Sequence, residues 1–73
     1  MFTLKRNLAA TALAIEKGTV TEANPTVIYA GSEVLYQTSV NGYKADGYVL
    51  FRFKGTNYEA LEAEFKEALK DPE

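Results

Sequence analysis

Histidine and cysteine are both missing from this chain, which removes the side chains most often used for general acid–base catalysis, thiolate chemistry and structural zinc. The groups left to consider are hydroxyls and carboxylates. Ser32 and Ser39 fall in a predicted turn and strand with no activating base patterned around them. Glu59, Glu62, Glu64 and Glu67 are closely spaced, yet helical periodicity puts them mostly on the solvated side of the last predicted helix. A glycoside-cleaving pair needs carboxylates opposed across a cleft instead. The acids do not follow calcium-loop spacing, and the five glycines punctuate turns rather than forming a phosphate loop. The expectation is a protein that is not an enzyme, uses no metal or cofactor, and works by binding.

Charge narrows what it would bind. Residues 1–54 hold Lys5, Arg6, Lys17, Lys44, Arg52 and Lys54 against Glu16, Glu22, Glu33 and Asp46, a balance of +2. Residues 55–73 hold Lys66 and Lys70 against Glu59, Glu62, Glu64, Glu67, Asp71 and Glu73, a balance of −4. An acidic C-terminal element on a mildly basic body is ordinarily a solvated helix face. Apolar residues make up 47% and charged residues 25%, enough hydrophobic material for the 73 residues to fold as a single domain, 1–73. Without disulfide or zinc, that domain must rest on packing, with self-association or a partner as possible support. The lack of cysteine fits a cytoplasmic protein. Lys5 and Arg6 before the run ending in Ala12-Leu13-Ala14 imitate a secretory signal poorly, because Asn7 and Thr11 interrupt a short run. No apolar stretch is long enough to cross a bilayer as a helix.

The elements follow from periodicity and punctuation. Leu4, Leu8, Ala12 and Ile15 recur at helical spacing, which predicts a helix from about Leu4 to Lys17, with Thr3 as its cap and Gly18 as its left-handed terminator. In that helix Lys5 and Arg6 oppose the dipole of the first turn, a conflict that points to an acidic partner or to a bland surface. Thr19 to Asn24 reads as an extended lead-in, Thr26 to Ala30 as a short strand, and Glu33 to Val40 as a half-buried strand. Asn41-Gly42 is the strongest hairpin signal in the chain. Asp46-Gly47 reads as a bulge or part of one longer connection. Tyr48 to Lys54 predicts a strand with Val49, Phe51 and Phe53 facing the core. Thr56-Asn57-Tyr58-Glu59 matches a capping box and starts the last helix, with Tyr58, Leu61, Phe65, Ala68 and Leu69 as its apolar stripe. The expected class is α+β in the order helix, strand, strand, strand, helix: a three-stranded antiparallel sheet with two helices on one face.

The face opposite those helices would carry Leu35, Tyr48 and Leu50 beside Arg52, a composition suited to a protein partner. The expected protein-binding residues are Lys5, Arg6, Leu35, Tyr48, Leu50 and Arg52. The alternative is nucleic-acid binding through Lys5, Arg6, Lys44, Arg52 and Lys54, with tyrosines for stacking, against which the net charge counts. A second alternative is a self-associating structural protein, a monomer or weak dimer pairing through an edge strand or the open face.

Two resemblances add to this reading. The element order, with Val40-Asn41-Gly42 before the third strand, resembles the double-stranded-RNA-binding domain over most of the chain. Asn57-Tyr58-Glu59-Ala60-Leu61-Glu62 stands where that family has phosphate-holding lysines, so the RNA function is not carried over. In size, weak acidity and lack of catalytic residues the whole chain is similar to small phage-encoded inhibitors of host bacterial machinery, including RNA polymerase. That similarity implies a viral inhibitor of transcription, at work in a host–virus interaction, that binds a large host protein.

Overall fold

The computed structural model describes residues 1–71. It is mostly β. Six strands, β1 (Phe2–Thr3), β2 (Leu8–Glu16), β3 (Thr19–Ile28), β4 (Glu33–Gln37), β5 (Tyr48–Phe53) and β6 (Thr56–Leu61), precede one seven-residue helix, α1 (Glu62–Ala68). The strands form a single sheet in the order β1-β4-β5-β6-β2-β3, with every neighbouring pair antiparallel. The expected three-stranded sheet under two helices is therefore corrected, and with it the element order that carried the likeness to a double-stranded-RNA-binding domain. No helix among the described residues is long and apolar enough to cross a membrane.

The first expected helix is strand β2, for a reason visible in its neighbours. It lies between β6 and β3 and buries residues on both faces, Leu8 and Ala10 on one and Leu13 on the other. A strand buried on both sides reads as a nearly continuous apolar run, which periodicity does not separate from a helix. What decides for a strand is the turn after it. Lys17 and Gly18 both take positive φ, 50° and 79°, and Glu16 pairs with Thr19. Two consecutive left-handed residues make a type I′ hairpin turn, whereas a helix end needs only one. The β-branched run after the turn then pairs along β2, and ladder pairing overrides the helix preference of the alanines. Pro25, between the expected lead-in and the expected short strand, sits within β3 at the sheet's edge, where a missing backbone donor costs least. The register shifts there, between Thr11 and Leu13 of β2.

The same logic moves the last helix. Lys54 and Gly55 have φ of 49° and 78°, and Phe53 pairs with Thr56, so a second I′ turn claims the threonine expected to cap a helix. Residues 56–61 continue as β6, and α1 starts only at Glu62, after Leu61 and with no side-chain cap. Glu62 and Glu64 in its first turn suit the helix dipole. Asn41-Gly42 forms its hairpin turn, with Val40 and Tyr43 exchanging backbone hydrogen bonds of 3.1 and 2.7 Å.

The two sheet faces are covered unequally. On one, α1 lays Phe65 and Ala68 over Leu8, Ala10, Ile28, Val34, Phe51 and Ala60. Fully buried Phe51 stacks on Tyr58 at 5.5 Å and meets Phe65 at 5.8 Å. The other face has no helix among the described residues. It is covered in part by the connection from Thr38 to Gly47, whose Val40 and Tyr43 pack with Leu13, Val20 and Leu50. The tip of this connection is tied to the β2–β3 turn by Asn41 Nδ2 donating to the Gly18 carbonyl at 2.8 Å.

Candidate functional site

A glutamate stands in the middle of the second face. Glu59 lies opposite Leu50 of β5 and Thr11 of β2, and is only 1% exposed. The Tyr43 hydroxyl reaches it from the covering connection, at 3.2 and 3.3 Å from its two carboxylate oxygens. Those distances exceed a typical hydroxyl-to-oxygen bond of about 2.7–2.8 Å, so the Tyr43 hydroxyl is a long donor shared by two oxygens able to accept several. Burial pushes the Glu59 carboxyl up from its ordinary value, and the neighbouring Glu22 carboxyl pushes it further, by hydrogen bond and by charge; Tyr43 acts the other way. Burial first, and then the charge of Glu59, likewise raises Tyr43, which keeps its proton and remains a donor. Neither Glu22 nor Glu59 forms an ion pair among the described residues.

Beside Glu59 the sheet opens. β2 and β6 pair only over Thr11–Leu13 and Asn57–Glu59, and beyond that point a cleft of about 230 Å³ lies between them. Ala9, Thr11, Pro25, Tyr48 and Leu61 line it, Glu59 stands at its inner end, and exposed Glu64 also borders it. Tyr48 and Leu61 are cross-strand partners, 43% and 45% exposed, and Val27, 44% exposed, pairs with Ala9 on the far side. The result is an apolar strip with a buried acid at its base.

The six expected binding residues fall into two groups, with Leu35, Tyr48, Leu50 and Arg52 on the helix-free sheet face and Lys5 and Arg6 beside α1. Tyr48, Leu50 and Arg52 share one face of β5, but Leu50 is buried beneath Val40 and separates the other two. Leu35 and Arg52 face each other across β4 and β5. Lys5 and Arg6 lie in no helix. Their backbone amides donate to the Ala68 carbonyl at 2.7 and 3.2 Å, placing both cations at the C-terminal end of α1, where a helix dipole favours them. Lys5 pairs with Asp71 at 3.8 Å, and Arg6 pairs with Glu67 at 3.6 Å while donating to the Asp71 carbonyl at 2.9 Å. Of the other bases expected to hold nucleic acid, Lys54 lies over the Phe53 ring at 5.3 Å, and Lys44 belongs to the 38–47 connection. Sequence reasoning missed Glu59, Leu61 and Val27. The Lys-Gly dipeptide at 54–55 was the available signal, because reading it as a hairpin turn moves Glu59 from a helix surface into a strand.

Comparison of the chain with protein-family models, with curated proteins and with solved structures finds no match.

Proposed function

We propose that this chain is a non-catalytic protein-binding modulator that docks a larger protein on the helix-free face, through Tyr48 and Leu61 at the cleft and exposed Val27 on the neighbouring edge strand. The observation that carries this reading is the adjacency of Tyr48 and Leu61, two large apolar side chains paired across strands and each more than two-fifths exposed. Single exposed apolar residues are ordinary, whereas a contiguous set rimming a concave site marks contact surface. A protein surface supplies apolar side chains that such a strip can desolvate. The similarity to phage inhibitors makes bacterial RNA polymerase the first partner to test.

The test is affinity capture from bacterial lysate with the wild-type chain and with a Tyr48→Ser/Leu61→Glu variant whose fold is verified by circular dichroism. The reading predicts a discrete protein retained by the wild type and lost with the variant. A protein retained equally by both would contradict it.

Nucleic-acid binding loses support, because Lys5 and Arg6 are taken up by carboxylates and carbonyls around α1. Self-association has one observation in its favour: ten-residue β3 is an edge strand with one free side. Pro25 and the register shift blunt that edge, and a concentration-independent monomer mass in sedimentation would dismiss it.

A further inference from the structure

We infer that the cleft between β2 and β6 receives a lysine side chain of the protein partner, its aliphatic stem against Leu61, Tyr48 and Pro25 and its ammonium group at Glu59. The inference rests on the docking face proposed above and adds the chemistry of the group that enters it. The argument starts from charge. Glu59 is 1% exposed, has the like-charged Glu22 as a hydrogen-bonded neighbour, and takes one long donor, the Tyr43 hydroxyl, shared between its two oxygens. A buried carboxylate with a like charge for a neighbour is costly unless a proton or a cation compensates it. No Lys or Arg borders the cleft among the described residues, whereas two acids, Glu59 and Glu64, do. The missing positive charge is thus one that a partner can bring.

Shape and polarity restrict what brings it. The walls are largely apolar, with the hydroxyls of Thr11 and Thr26 among them, and about 230 Å³ accommodates one long side chain rather than a helix or a loop. A lysine matches both parts, since it buries a hydrocarbon stem and carries a compact charge at its tip. Its ammonium also supplies donors to carboxylate lone pairs that Tyr43 leaves open.

The experiment uses two blocked peptides, acetyl-Val-Lys-Val-amide and its norleucine counterpart, with n-hexylammonium as a free-amine control. Each is titrated at pH 7 into the isotopically labelled full chain and followed through the amide signals of Ala9, Thr11 and Leu61. The expected result is saturable shifts with the lysine peptide, at least tenfold weaker binding of the norleucine peptide, and a similar tenfold loss for Glu59→Gln. Equal binding of the two peptides would overturn the lysine assignment while leaving the apolar docking face in place. That arm uses only the wild-type chain, so it stands even if Glu59→Gln does not fold. Shifts from neither peptide would also overturn the assignment, leaving the capture experiment to judge the docking face separately. Tenfold tighter binding of n-hexylammonium than of the lysine peptide would assign the cleft to a free amine and overturn the protein-borne lysine.

Discussion

The Tyr43 hydroxyl donates to the Glu59 carboxylate, 3.2 Å from one oxygen and 3.3 Å from the other, and so joins the covering connection to the centre of the sheet. The two residues are 16 apart in sequence, and one lies in a long loop and the other in strand β6. Removing the hydroxyl deprives a buried carboxyl of its donor while leaving the ring among Leu13, Val40 and Leu50. Tyr43→Phe is expected to cost about 1 kcal/mol, the net scale of one hydrogen bond. In a domain of this size that lowers Tm by about 4–8 °C. Thermal denaturation followed by circular dichroism checks it, and an unchanged Tm would show that the contact holds nothing in place.

Glu59 also makes stability depend on pH in a definite direction. Its folded-state carboxyl titrates above the ordinary 4.5, chiefly through burial and then through Glu22. The folded state therefore holds the proton more tightly than the unfolded chain. This contribution to stability is fully present below about pH 4.5 and is lost as pH rises through the folded-state value. Glu59→Gln removes the titration while keeping shape and an acceptor for Tyr43. The variant should melt above wild type at pH 7, with the gap closing toward pH 4. Glu67, lowered mainly by Lys70, works oppositely, and its contribution is lost at acid pH in both proteins. A gap that does not vary with pH would contradict the assignment to Glu59.

The two Lys-Gly turns offer a test of the fold itself. Lys17 and Lys54 stand at positive φ, where a side chain with a β-carbon is strained and asparagine is better tolerated. Lys17→Asn is expected to stabilise by about 0.5–1 kcal/mol, within the cost of a left-handed residue. Lys54→Asn should gain less, because it also removes the ammonium group over the Phe53 ring. Urea unfolding of both variants measures the difference. A destabilised Lys17→Asn variant would argue for the helix end that the sequence suggested.

Lys5 and Arg6 carry a prediction whose sign the structure reverses. In a helix's first turn, replacing both with glutamate would relieve a dipole conflict. At the C-terminal end of α1 beside Glu67 and Asp71, the same change places like charges together. Lys5→Glu/Arg6→Glu should lose about 1 kcal/mol, modest because these pairs are partly exposed. The loss should shrink in high salt, and urea midpoints at low and high salt give the comparison.

Parts of this fold were legible in the sequence where one local signal had one meaning. The alternation of Val49, Phe51 and Phe53 against Leu50 and Arg52 identified both faces of β5, and Asn41-Gly42 identified a turn, though at the tip of the 38–47 connection rather than directly between two sheet strands. Ambiguity entered where one stretch satisfied two patterns. Residues 8–16 suit a helix stripe or a strand buried on both faces, and only pairing across the Lys17-Gly18 turn decides between them. Residues 56–59 fit a capping box or the start of a hairpin's second strand, and Phe53 opposite Thr56 settles it. The candidate site suffered most from that second choice. As a helix residue Glu59 is one solvated acid among several, whereas as a strand residue it is buried beneath Tyr43.

The central claim, that the helix-free face around the cleft is the contact surface, is tested most directly by cross-saturation transfer from a captured partner to the deuterated, nitrogen-15-labelled chain. The account predicts the strongest losses at the amides of Ala9, Thr11, Tyr48 and Leu61, with Lys5, Arg6 and Glu67 unaffected. Losses concentrated on Lys5, Arg6 and the surface of α1, with the cleft amides unchanged, would contradict it.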